Sequence, residues 1–71
     1  MRPGILIPDM QTGRADIRFD LEDFYGGLHC GMTMEVWINE EWTPARIEFG
    51  SKGWFLDGVK TDCIWGLKVR I

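Results

Sequence analysis

Long hydrophobic runs are missing from this chain: no apolar stretch exceeds three residues, Ile5-Leu6-Ile7 being one of them. A bilayer-spanning helix needs about 20, so no membrane association of that kind is expected. Nor does any segment hold apolar residues at i, i+3, i+4 and i+7 over the length of a stable helix. Histidine occurs once, as His29, and cysteine twice, as Cys30 and Cys63. A structural zinc site takes four ligands, generally in closely spaced pairs, so neither a metal nor a cofactor is expected. Basic residues are outnumbered, 8 against 11 acidic ones, for a formal net charge of -3. That balance disfavours duplex nucleic acid, whose binding rests on cationic contacts to phosphate. Gly26-Gly27 is not followed by the Lys-Ser/Thr of a phosphate loop. Met1-Arg2-Pro3-Gly4 lacks the apolar core of a secretory signal. A cytoplasmic protein is therefore expected, with Cys30 and Cys63 as thiols in preference to a disulfide.

What is present is period-two alternation punctuated by glycine, in 71 residues of which 45% are hydrophobic and 13% aromatic. The size allows one domain, residues 1–71. Ala15, Ile17, Phe19 and Leu21 alternate with Asp16, Arg18, Asp20 and Glu22, the pattern of a strand with one dry and one wet face. Met32, Met34, Val36 and Ile38 alternate in the same way, as do Ala45, Ile47 and Phe49, and Leu67, Val69 and Ile71. Ile5–Ile7 and Trp54–Leu56 are shorter strand candidates.

The register of one hairpin follows from parity, because like faces must meet. Pairing Ile38 with Glu41 across Asn39-Glu40 sets Val36 opposite Thr43, Met34 opposite Ala45 and Met32 opposite Ile47. Trp37 then faces Trp42 on the other side of the ribbon, with Glu35 opposite Pro44 and Thr33 opposite Arg46. A two-residue type I′ turn demands positive φ at Glu40, which is unfavourable; a four-residue loop keeps the same parity. Asp20 and Asp23 are placed to cap a short helical turn ended by Gly26-Gly27. Thr61 or Asp62 is placed to cap a one-turn helix through Cys63, Ile64 and Trp65, closed by Gly66. The expected fold is all-β: a small SH3-like barrel, or a strongly bent five- to six-stranded antiparallel sheet, with that one-turn helix before the last strand.

Several strings belong together: Gly13-Arg14-x-Asp16-Ile17, Tyr25-Gly26-Gly27-Leu28-His29-Cys30-Gly31, Trp42-x-Pro44-x-Arg46-Ile47-Glu48 and Gly66-Leu67-x-Val69-Arg70-Ile71. The combination resembles a bacterial domain-of-unknown-function family of short, free-standing proteins, encoded largely in Gram-positive bacteria and their mobile elements. The resemblance covers almost the whole chain, and YGGLHCG is its specific string. It implies size, compartment and a mobile-element setting, and it brings no activity and no site residues. Asn39-Glu40 stands where the family pattern has glycine in the hairpin turn.

No catalytic constellation is visible. His29 and Cys30 are adjacent and point opposite ways in extended chain, so the imidazole is poorly placed to activate the thiol. Cys30 is expected inside, with His29 hydrogen-bonding the loop. Asp16, Asp20, Glu22 and Asp23 fall on a wet strand face, as a solvated edge or a negative patch. Trp37 and Trp42 are the informative pair, since exposed indoles are costly unless covered. The 24–31 loop, a protein partner or second copy, or a stacked base are the three coverings. The candidate surface is Trp37, Trp42, Arg46, Tyr25 and His29, with Arg70 and Lys68 as further cations. The expected function is a non-enzymatic protein-interaction module, binding a protein partner or itself; the alternative is a binder of single-stranded nucleic acid or a nucleotide.

Overall fold

The alternating segments become strands in the computed structural model, which describes residues 1–71. They are β1 (Pro3–Pro8), β2 (Ala15–Asp20), β3 (Asp23–Phe24), β4 (Thr33–Ile38), β5 (Glu41–Gly50), β6 (Gly53–Asp57) and β7 (Lys68–Arg70). All seven belong to one sheet, in the order β3-β2-β1-β7-β4-β5-β6. Every neighbouring pair is antiparallel. The sheet is not closed: β3 and β6 are its two edges. The all-β expectation therefore holds, with an open seven-stranded sheet in place of a barrel or a five- to six-stranded one. No segment is helical, so no helix is long and apolar enough to cross a membrane.

The inner face carries the core. Leu6, Ile17, Val36, Ile47 and Val69, from five strands, are fully buried together. Met34, Ala45 and Leu56 extend the same surface. The β4–β5 ladder has the register that parity required, from Thr33 opposite Arg46 to Ile38 opposite Glu41. Its turn is the tight one: Asn39 has φ 51° and Glu40 φ 64°. Asparagine tolerates this left-handed region, whereas glutamate enters it at a cost of roughly 1–2 kcal/mol. Six paired positions behind the turn outweigh that strain, and the four-residue loop does not form.

Two expected helical turns are absent. Asp20 pairs with Asp23 across a Leu21-Glu22 turn, because β2 doubles back into a short hairpin in place of winding up; Leu21 is consequently exposed. Near the C-terminus, Ile64 to Leu67 form a β-turn, closed by the Leu67 N–H to the Ile64 carbonyl at 3.3 Å. Gly66 sits at its third position with φ 92°, a conformation that ends helical winding and favours glycine. The Gly66 N–H and the Leu67 carbonyl are both bonded to Leu6 of β1, at 2.7 and 3.0 Å. The backbone groups a helix would use are thus committed to the sheet.

The Tyr25–Met32 segment is a strap between β2 and β5. It begins with the Tyr25 N–H on the Ile17 carbonyl and ends where Gly31 and Met32 exchange hydrogen bonds with Ile47. In between, Leu28 enters the core completely. Asp16 holds this strap: its Oδ1 accepts from the N–H groups of Ile17 at 2.8 Å and of Gly26 and Gly27 at 3.0 Å each. Gly26 and Gly27 have φ near +105°, which turns both N–H groups toward one oxygen without a Cβ clash. Asp16 is only 7% exposed, a correction to its expected place on a wet face. Cys30 is likewise not inside. It sits exposed at the corner of a turn closed by the Met32 N–H on the His29 carbonyl; Leu28 takes the buried position and the His29 side chain makes no hydrogen bond. Both cysteines are free. On the open side, the Trp54 indole N–H donates to the Gly13 carbonyl at 2.9 Å, tying β6 to the β1–β2 loop.

In that loop, the N–H of Gln11 bonds Asp9 Oδ1 at 3.0 Å. The Gln11 N–H foremost, then Thr12, hold the Asp9 carboxyl below its ordinary value of 3.8. A depressed acid stabilises the fold fully above its unfolded pKa and loses this contribution as pH falls through the folded value. The amide shifts of Gln11 and Thr12 should accordingly follow a titration whose midpoint lies below 3.8. Glu40→Gly should raise stability by about 1 kcal/mol, a Tm increase of roughly 4–8 °C for a domain of this size. Asp16→Ala strands three amides and should cost about 2–4 kcal/mol, with fast hydrogen exchange at Gly26 and Gly27; Asp16→Asn, which keeps an acceptor oxygen, should cost less.

Candidate docking face

The outer face of the sheet is built by residues of the parity opposite to the core. Arg18 of β2 pairs with Ile5 of β1, and Ile5 with Lys68 of β7. The register that sets Val36 against Val69 brings Lys68 beside Trp37, and Trp37 faces Trp42. A lateral row thus runs Arg18, Ile5, Lys68, Trp37, Trp42 across five strands. Ile5 and Trp37 remain 41% and 40% exposed. The two indoles meet edge to face, with centroids 5.2 Å apart and planes at 62°, an arrangement the ring quadrupoles favour.

Cations frame the pair. The Arg70 guanidinium lies 4.3 Å from the Trp42 ring centroid and the Lys68 ammonium 5.9 Å. Arg70 also bonds Glu35 through its Nε, the residue opposite it in the β4–β7 ladder. The charge that stacks on Trp42 is therefore already balanced, and its planar group is held in orientation. Neither Lys68 nor Arg18 pairs with an acid.

The other candidate residues are dispersed. Arg46 is on the outer face but four positions along β5 from Trp42, about 13 Å in an extended strand. It pairs with Glu48 at 3.4 Å and with Asp57 at 3.0 Å. Tyr25 and His29, both exposed, belong to the strap, whose Leu28 is buried among the aliphatics of the inner face. They do not join the indole pair, and the strap does not cover it. Asp16 is spent on the strap, and Asp23 pairs with Arg2, so the four acids of the expected patch do not act together. No group of three His, Cys, Asp or Glu side chains is arranged to hold a metal ion.

Two features lay outside the sequence reading. Ile5 and Arg18 join the row only because β1 lies between β2 and β7, a non-local pairing with no local signature. Phe49 and Trp54 form a second edge-to-face pair, with centroids 5.0 Å apart, and Phe55, next in β6 and on the opposite face, is exposed. The alternation of β5 and β6 contained that signal.

The fold recurs in a crystal structure of a protein from Ruminococcus gnavus, a structural-genomics target. It is 51% identical to this chain, covers 99% of this chain and 100% of that one, and superposes with a TM-score of 0.93. No curated protein matches the chain. Residues 4–71, which include the strap, its Asp16 anchor and the tryptophan row, match a domain of unknown function. The chain belongs to that family, DUF5348.

Proposed function

We propose that this protein is a non-enzymatic protein-interaction module of the cytoplasm, docking a partner on the outer face of its sheet through Trp37 and Trp42. The carrying observation is that Trp37 stays 40% exposed in a cross-strand aromatic pair on a face no other part of the chain covers. Aromatic side chains with a neighbouring Arg are the groups that dominate protein interfaces. The molecule measures 30 × 30 × 19 Å, so one broad face provides the roughly 800 Å² that a specific interface takes from each partner. Mobile-element biology, which the family pattern implies, is a natural setting for such a module.

Binding of single-stranded nucleic acid through the same rings is the weaker reading. Arg46 and Arg70, the guanidinium groups that would meet phosphate, are each engaged by acids of their own chain. Lys68 alone beside the indoles provides little of the positive groove that tracks a phosphate backbone.

Trp37→Ser is the direct test. A docking residue should lose about 2 kcal/mol or more of partner affinity, roughly 30-fold, while its cross-strand pairing accounts for only about 1 kcal/mol of stability. Capture from the native host with wild type and variant in parallel measures the first, and a thermal melt the second. If the variant retains every captured protein, or melts as early as the core variant Val36→Ala, Trp37 belongs to the scaffold. Amide shifts at Trp37 and Trp42 on addition of short mixed oligonucleotides at low salt would favour the nucleic-acid reading.

A further inference from the structure

The two edges of the sheet are built differently. β3 is two residues long and begins with Asp23, and Asp20 and Glu22 precede it, charges of the kind that keep an edge from pairing. β6 is five residues long and reads Gly-Trp-Phe-Leu-Asp, with no proline, no bulge and no charge before its last position. Gly50 and Gly53 pair across a two-residue turn, and such a pair exchanges both of its hydrogen bonds. By alternation, the Glu48–Phe55 and Arg46–Asp57 pairs do the same. The N–H and C=O groups of Trp54 and Leu56 therefore point away from β5, and no backbone or side-chain group of the chain bonds them. A groove of about 380 Å³ lies between the start of this strand, up to Phe55, and Thr61–Trp65.

We infer that β6 pairs with β6 of a second copy, antiparallel and centred on Phe55, to give one continuous sheet across a two-fold axis. Three observations carry the choice of occupant. The central position is the only one that pairs the whole strand with itself: Gly53 meets the partner's Asp57, and Trp54 the partner's Leu56. That register joins the residues whose backbone groups are free, two hydrogen-bonded pairs flanking the axis. It also brings Phe55 against the partner's Phe55 in the closely spaced, non-hydrogen-bonded position, where side chains interact most strongly; Phe55 is 45% exposed. Finally, charge selects direction. Lys52 precedes the strand and Asp57 ends it, so antiparallel copies bring strand ends of opposite charge together and parallel copies bring like ends together. Asp57 bonds Arg46 yet keeps 59% of its side chain exposed.

An edge contact of this length buries less than a standard interface, so the dimer is weak, with Kd above about 10 µM. The axis is perpendicular to the sheet, which places the Trp37–Trp42 faces of both copies on the same side. The pairing stands independently of what those faces bind.

Sedimentation equilibrium between about 10 µM and about 1 mM should show a monomer–dimer equilibrium. Hydrogen exchange at the Trp54 and Leu56 amides of the wild type should slow roughly two- to tenfold over that range, with the paired Phe55 amide unchanged by comparison. Phe55→Glu and Phe55→Lys should each be monomeric, because like charges meet on the axis, and an equimolar mixture of the two should dimerise again. A wild type that is monomeric throughout, exchange at Trp54 and Leu56 that does not respond to concentration, or a mixture that fails to associate would each overturn the pairing. Dimerisation of both single variants at wild-type strength would place the contact elsewhere and overturn it as well. Exchange is read on the wild type alone, so instability of a variant does not blunt the test.

Discussion

The turn at Asn39-Glu40 sets the parity on which the sheet depends. A two-residue loop allows one register for β4 against β5, and a shift of a single residue would carry Met34, Val36, Ala45 and Ile47 from the interior to solvent. With that register in place, the indoles of Trp37 and Trp42 have nowhere to go but outward. β7 then docks on β4 with Val69 against Val36, and the same alternation delivers Arg70 and Lys68 to the side where the indoles lie. A core requirement on one face thereby assembles an aromatic and cationic surface on the other. The unfavourable φ of Glu40 is tolerated because the whole ladder behind it is at stake.

A second constraint acts through one carboxylate. The Tyr25–Met32 strap buries little apolar surface of its own apart from Leu28 and Met32, and it must give up considerable backbone freedom to cross from β2 to β5. Asp16 offsets this by satisfying two consecutive glycine amides with one oxygen. The Tyr25–Gly31 string is accordingly a structural device: Gly26-Gly27 present the amides, Leu28 fills the core and Gly31 turns the chain onto Ile47. His29 and Cys30 are left at an exposed corner, apart from each other's chemistry and from the tryptophans.

Charge is distributed so that most guanidinium groups are neutralised where they lie. Arg2 pairs with Asp23, Arg46 with Glu48 and Asp57, and Arg70 with Glu35. Exposed pairs of this kind add little stability, but they hold planar cations in fixed orientations over Phe19 and Trp42. The outer face therefore presents ordered relief around its aromatic centre with few unpaired cations, Lys68 and Arg18, a character closer to protein interfaces than to phosphate-binding grooves. The asymmetry of the edges has a similar logic: charge and brevity guard β3, whereas β6 is longer and carries charge only at its last position.

Local periodicity was enough to determine the all-β class, the inward aliphatics of β4 and β5, their register and the outward aim of Trp37 and Trp42, because each depends on parity within one hairpin. The helical turns read at Asp20 and Thr61 failed for the complementary reason. Capping residues specify what a segment does when its backbone groups are free, and here Tyr25 is bonded to Ile17 and Gly66 to Leu6. The burial of Asp16, the exposure of Cys30 and the separation of Tyr25, His29 and Arg46 from the indoles likewise depend on contacts between residues distant in the chain. Composition and spacing determined which side chains need burial and which faces alternate. Only the tertiary structure decided which strands are neighbours, and so which outward residues meet, since the pairing of β1 with β7 and of the strap with Asp16 is settled by packing and hydrogen bonding across the whole sheet.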